Sequence, residues 1–235
     1  MPAAGQLAFA LPVRPALGRA DFIVAPANRL ALALVESWPA WPGGRIAVAG
    51  PAGAGKTHLA HVWAARSGAA LLPAAALPGL DPGGVPGDAA LVVEDADRLD
   101  ALAPEARAAA EEALFHLCNR LAADGGALMV SGRSAPAFWP LRLPDLASRL
   151  AASPVAAVEP PDDALLAAVL VKLFGDRGIG VGPELIRYLV ARMERAFDAA
   201  ERLVSELDRA GLARGRPVSV RLAAEVLAQS LPEQD

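Results

Sequence analysis

Cysteine is almost absent. Cys118 is the one thiol in 235 residues, which excludes an intramolecular disulfide and suits a reducing compartment without requiring it. Histidine is scarce too. His58, His61 and His116 share no metal-ligand spacing with Cys118, so no zinc site is expected. Positive charge is not in excess: the net charge of −4 argues against a large DNA-binding surface acting alone, because phosphate contacts need clustered Lys and Arg. A local basic patch stays compatible with it. Long apolar runs are missing as well. Ala69–Leu80 is broken by Pro73 and Pro78, and the N-terminus lacks the basic start and apolar stretch of a signal peptide. The expectation is a cytoplasmic protein with no membrane contact and no direct sequence-specific DNA binding.

What is present is apolar: hydrophobic residues make up 54% of the chain and charged residues 20%, enough for a real core. Much of that content is alanine, which favours helix and adds little bulk. The length suits one large domain, or one domain with an appended lobe.

Three regions follow from the pattern. Residues 1–25 read as an N-terminal arm, interrupted by Pro2, Pro12 and Pro15. Residues 26–159 open with an expected helix over Ala27–Trp38, for which Asn28 is a candidate cap. Short apolar runs then alternate with helical segments. Ile46–Ala49, Ala69–Leu72, Ala90–Glu94, Ala127–Ser131 and Val155–Val158 read as strands; Thr57–Arg66 and Glu105–Ala122 read as helices. Such alternation implies an α/β base with a parallel sheet flanked by helices. The Gly- and Pro-rich stretch Gly79–Gly87 reads as a loop. Residues 160–235 carry only helical signals, over Asp162–Phe174, Pro183–Met193, Phe197–Leu212 and Ser219–Leu231, and form a small helical lid.

The strongest motif is Gly50-Pro51-Ala52-Gly53-Ala54-Gly55-Lys56-Thr57, which fits the phosphate-binding loop G-x-x-x-x-G-K-[ST] between a strand and a helix. Glycines let backbone N–H groups turn toward phosphates, and the helix N-terminus adds positive potential. Lys56 is expected to reach the β- and γ-phosphates, and the Thr57 hydroxyl to face Mg²⁺. The candidate nucleotide-contacting residues are Gly50, Pro51, Gly53, Ala54, Gly55, Lys56, Thr57 and His58.

Leu91-Val92-Val93-Glu94-Asp95 is an apolar strand ending in two acids. Glu94 sits where an acid would hold the metal's water shell, so Thr57 and Glu94 are the expected Mg²⁺ side of the site, partly through water. Asp95 is the candidate for orienting the attacking water. Ser131, closing the next strand, is either a contact to the γ-phosphate or the water, or part of an ordinary turn. Arg149, in Leu143–Leu150, reads from spacing alone as a surface arginine.

These residues together resemble the Hda family, AAA+ regulators homologous to the AAA+ module of the replication initiator DnaA. Gly50–Leu59 looks like the family's GxxGxGKTHL loop. Glu111–Arg120 (EEALFHLCNR) is similar to the helix after the acidic strand, and Leu143–Leu150 (LPDLASRL) looks like the arginine-finger box. Gln6–Leu11 (QLAFAL) is similar to a short sliding-clamp-binding peptide. The resemblance implies an AAA+ P-loop NTPase fold with resident ADP or ATP and Mg²⁺. It implies binding to the DNA polymerase III β sliding clamp through Gln6, Leu7, Phe9 and Leu11. It further implies that Arg149 acts in trans on ATP-bound DnaA, promoting hydrolysis and leaving inactive ADP-bound initiator. Own ATPase activity is expected to be weak or absent. An arginine finger needs a neighbour, supplied by another protein or by a second copy in a homo-oligomer.

Two positions depart from the family pattern. Asp198 stands where relatives place a sensing arginine in the lid. Arg195, one turn earlier, either substitutes for it or joins Asp198 and Arg202 in an i,i+3 and i,i+4 charge ladder. Glu94 stands where aspartate is commoner. Only Pro232–Asp235 follow Leu231, so a helix-turn-helix DNA-binding domain like that of DnaA is not expected. The competing readings are a DnaC-type AAA+ helicase loader with its own ATP turnover and, less well matched, a nucleotide kinase.

Overall fold

A computed structural model describes residues 18–230. In chain order its elements are α1 (Pro26–Glu36), β1 (Arg45–Ala49), α2 (Lys56–Ser67), β2 (Ala70–Pro73), β3 (Ala90–Glu94), α3 (Pro104–Asp124), β4 (Ala127–Gly132), α4 (Pro144–Ala151) and β5 (Val155–Ala157). Four helices follow: α5 (Asp163–Asp176), α6 (Pro183–Val190), α7 (Phe197–Arg214) and α8 (Val220–Ser230). The expected strands and helices are all present, with ends shifted by a few residues.

Proline writes several helix starts. Pro26, Pro104, Pro144 and Pro183 open α1, α3, α4 and α6, where the missing N–H would be unpaired anyway. Asn28 caps α1 as expected, though from within the helix. It lies three residues inside α1 and reaches back, its Oδ1 accepting the Ala25 N–H at 2.9 Å. The loop at Gly79–Gly87 contains a 3₁₀ turn at Pro82–Gly84, capped by Asp81, whose carboxylate accepts the Gly83 N–H at 2.9 Å.

The five strands form one parallel sheet in the order β2-β3-β4-β1-β5. Both faces are covered, as parallel sheets require, and residues along each strand alternate between two cores. Ile46, Val48, Val92 and Met129 face α1 and α2, packing with Trp41 and Trp63. Ala47, Leu91, Val93, Leu128 and Val130 face α3 and α4, packing with Leu114, Leu117, Leu146 and Leu150. A third core, built from Leu170, Phe174, Leu189, Leu203 and Leu207 among others, belongs wholly to α5–α8.

Residues 18–25 are not a free arm. Phe22 is buried in the α1–α2 core, and Asp21 pairs with Lys172 of α5 at 3.0 Å. This short strap ties the base to the helical lid.

Candidate nucleotide site

Strand order decides where the site lies. β4 inserts between β1 and β3, with Ala49 level with Gly132 and Val93 level with Val130. The loop after β1, Glu94 and Asp95 at the end of β3 and Ser131 near the end of β4 therefore meet at the carboxyl ends of the central strands, as ligands do in open α/β folds.

The loop turns through glycines in the left-handed region, Gly53 at φ 68° and Gly55 at φ 97°, and Gly55 leads directly into α2. Lys56 is buried at the base of the bend. Its Nζ donates to the carbonyls of Gly50 at 2.8 Å and Pro51 at 2.9 Å. Burial holds its pKa below the usual lysine value, a shift opposed by the nearby carboxylates of Asp95 and Asp97. The Thr57 hydroxyl donates to Glu94 Oε1 at 2.7 Å, joining the phosphate loop to the acidic strand across 37 residues of sequence. Asp95 takes a left-handed backbone (φ 55°), uncommon for a residue with a Cβ, and its N–H donates to the Ser131 hydroxyl at 3.2 Å. Ser131 is buried, so its hydroxyl is engaged in holding Asp95. Asp97 accepts the Arg133 N–H on one oxygen at 2.8 Å, while its other oxygen is buried without a partner.

The lid closes over this loop. The Phe197 N–H donates to the Gly53 carbonyl at 2.8 Å, and the Phe197 ring lies against Gly55. Asp198 stands beside Gly53, so that a methyl group there would overlap its carboxylate. A cavity of about 890 Å³ opens between the loop, the strap at Asp21–Ile23, α5 and α7. Ala52, Gly53, Gly55, Lys56, Thr57, His58 and Asp95 line its phosphate end. His58 is held by the strap: its ring nitrogen donates to the Gly18 carbonyl at 3.2 Å and its ring meets Phe22 edge-on at 5.0 Å. Burial lowers the His58 pKa, partly opposed by the Gly18 carbonyl.

The two arginines flanking Asp198 in sequence are paired with carboxylates. Arg202 meets Asp198 at 2.8 Å, and Arg195 meets Asp163 of α5 at 2.8 Å. Only the second half of the expected ladder is therefore present, and Arg195 lies outside the cavity. Among the described residues, no lid arginine stands unpaired beside the phosphate loop at the position of Asp198.

Arg149 lies elsewhere. It is exposed on α4, outside the cavity, with its guanidinium 5.5 Å from the Phe115 ring centroid, and among the described residues it makes no ion pair. α4 is anchored by buried Leu146 and Leu150. Its approach is set by α3, where the Glu111 carboxylate accepts the N–H groups of Arg142 at 2.8 Å and Leu143 at 2.7 Å. Glu111 is ion-paired with Arg107 at 2.9 Å, and Arg107 also donates to the Pro140 carbonyl. Both partners are buried. Cys118, on the same helix, is a buried thiol pushed up to about 11, which leaves it a poor nucleophile.

The residues present fit a nucleotide and Mg²⁺. The loop runs directly into the N-terminus of α2, and the Thr57 hydroxyl and Glu94 carboxylate already meet where the metal's ligands would stand, while Phe197 and Asp198 stand over the glycines on the lid side. Gln6, Leu7, Phe9 and Leu11 lie outside the described residues. Sequence reasoning missed Phe197, Lys172, Asp97 and the strap. None lies in a local motif; each reaches the site through tertiary folding.

No family model matches the chain. Among solved structures it is similar to domain III of the replication initiation protein DnaA from Thermotoga maritima, at 18% identity and TM-score 0.77, covering 93% of this chain and 98% of that one. It is also similar to AMPPCP-bound DnaA from Aquifex aeolicus (18% identity, TM-score 0.65), covering 80% of this chain and 63% of that one. The Thermotoga maritima RuvB Holliday junction branch migration motor matches at 17% identity and TM-score 0.57, covering 79% of this chain and 61% of that one. At these identities the likeness establishes the fold alone: a five-stranded parallel sheet flanked by helices with a helical C-terminal region, the architecture of AAA+ P-loop proteins.

Proposed function

We propose that this chain is a nucleotide-binding AAA+ regulator of replication initiation, which acts on a partner's nucleotide rather than chiefly on its own. The observation carrying this reading is the separation of two chemistries. The phosphate loop, Thr57 and Glu94 gather at one cavity, while Arg149 is presented outside it on an exposed, well-anchored helix. ADP or ATP would bind with its phosphates against the loop N–H groups and Lys56, and Mg²⁺ would be held by Thr57 and Glu94, partly through water. Bound metal would neutralise phosphate charge. Lys56 orients the phosphates, and Asp95, held by Ser131, would orient water.

Weak turnover at this chain's own site follows from the lid. Asp198, not an arginine, stands beside Gly53, and Arg202 and Arg195 on either side of it in sequence are paired with Asp198 and Asp163. Arg149, by contrast, is free to place its guanidinium on the γ-phosphate of ATP bound to DnaA. There it would stabilise charge as water attacks phosphorus and ADP leaves, an effect worth roughly 10³–10⁵ in rate where measured. The AMPPCP-bound DnaA neighbour supports nucleotide binding by this fold. Docking on the β sliding clamp through Gln6, Leu7, Phe9 and Leu11 completes the proposal.

The test mixes the protein with DNA-loaded clamp and ATP-bound DnaA and follows hydrolysis. Arg149→Ala is expected to abolish the stimulation while leaving clamp binding intact; unchanged stimulation refutes the trans role. A second reading, an AAA+ motor or helicase loader, is favoured by the Thr57–Glu94 contact and the adjacent Asp95. It requires steady turnover by the protein alone, stimulated by single-stranded DNA.

A further inference from the structure

We propose that Phe115 is a positioning residue for Arg149: its ring is the seat that holds the finger's guanidinium ready for a partner. The inference rests on the trans role proposed above and extends it to a residue that makes no use of this chain's own nucleotide. An exposed arginine on a helix carries several rotatable bonds, and a finger must present its charge in one direction. Here α3 restrains it twice. Glu111 fixes the backbone entering α4 through the Arg142 and Leu143 N–H groups, and Phe115, four residues further along the same helix, lies 5.5 Å beneath the guanidinium carbon. That distance lies within the range in which a ring quadrupole attracts a cation.

Phe115 can serve as a fixed seat because it is itself held. It is half-buried and packs on the core beneath α3 and α4, so one part of the ring is immobilised while the rest reaches Arg149. Among the described residues no carboxylate pairs with Arg149. A salt bridge would have neutralised the charge the finger must deliver, whereas an aromatic face orients the guanidinium and leaves its N–H donors free.

The test uses the full chain with DNA-loaded clamp and ATP-bound DnaA, comparing Phe115→Leu, Phe115→Tyr, Arg149→Ala and wild type over a range of protein concentrations. Leucine keeps apolar volume and helix propensity but lacks the π face; tyrosine keeps the face. The expected result is a maximal stimulated rate about 2- to 5-fold lower for Phe115→Leu. Its half-maximal concentration should be unchanged, any fall in melting temperature should leave it fully folded at the assay temperature, and Phe115→Tyr should recover most of the rate. In parallel, the Arg149 Hε resonance, identified by its loss in Arg149→Ala, should carry a ring-current displacement that disappears in Phe115→Leu. Wild-type stimulation by Phe115→Leu overturns the proposal, as does equal loss in the leucine and tyrosine variants. If Arg149→Ala itself leaves stimulation intact, the trans reading fails and this one with it. If Arg149→Ala abolishes stimulation and no ring-current displacement exists, the seat alone fails.

Discussion

Glu111 shows how one side chain can govern an element it does not belong to. Its carboxylate is buried, accepts two backbone N–H groups ahead of α4 and is paired with Arg107. A buried ion pair adds little compared with an apolar replacement of both partners, but removing one partner strands the other. Glu111→Ala is therefore expected to cost about 3–5 kcal/mol of unfolding free energy, because the buried Arg107 guanidinium loses its charge partner and two N–H groups lose their acceptor. Urea denaturation measures this. Loss of less than about 1 kcal/mol would show that water enters and replaces the carboxylate.

At the level of elements, the contact that matters most joins the phosphate loop to the start of α7. Phe197 hydrogen-bonds to Gly53 and covers Gly55, and Asp198 crowds Gly53 from the side. Gly53 is thus constrained twice, by its left-handed backbone and by the lid. Gly53→Ala is expected to cost about 1–2 kcal/mol from backbone conformation alone, a fall of about 2–8 °C in melting temperature for a chain of this size. It should also weaken Mg²⁺–ADP binding by about tenfold in calorimetry, since the loop and the lid can no longer hold their present geometry together. A variant with wild-type melting and affinity would mean that the lid start is not seated on the loop in solution.

For the molecule as a whole, the cavity lies between units with separate cores, the sheet domain and the lid, joined by the Asp21–Lys172 strap. A ligand bound there contacts both and stabilises the assembled state. At a nucleotide concentration about 100 times its Kd, unfolding should cost about 2.7 kcal/mol more than without it. Lys56→Ala should abolish most of that increment, because its Nζ is the buried cation nearest the bend. Differential scanning calorimetry with Mg²⁺–ADP and Mg²⁺–ATP checks both. Equal stabilisation of wild type and Lys56→Ala would place the nucleotide elsewhere.

Much of this was legible along the chain, for a local reason. The phosphate loop, the strand ending at Glu94 and the helix start at Pro183 depend on residues a few positions apart, whose backbone preferences and apolar period act before any tertiary contact forms. Other features depend on long-range pairing. The insertion of β4 between β1 and β3 brings Ser131 to Asp95 and Thr57 to Glu94, yet strand order leaves no mark in a strand's own sequence. Asn28 read as a cap from its type, but its position within the turn decided how it caps. Arg195, Asp198 and Arg202 had the spacing of a charge ladder; the fold drew Arg195, in the bend before α7, to Asp163 of α5 because α5 and α7 pack together. Sequence alone thus determined which chemistries the chain carries. Packing decided which of them meet, since a contact between residues tens of positions apart exists only once burial of the intervening core has closed the loop between them.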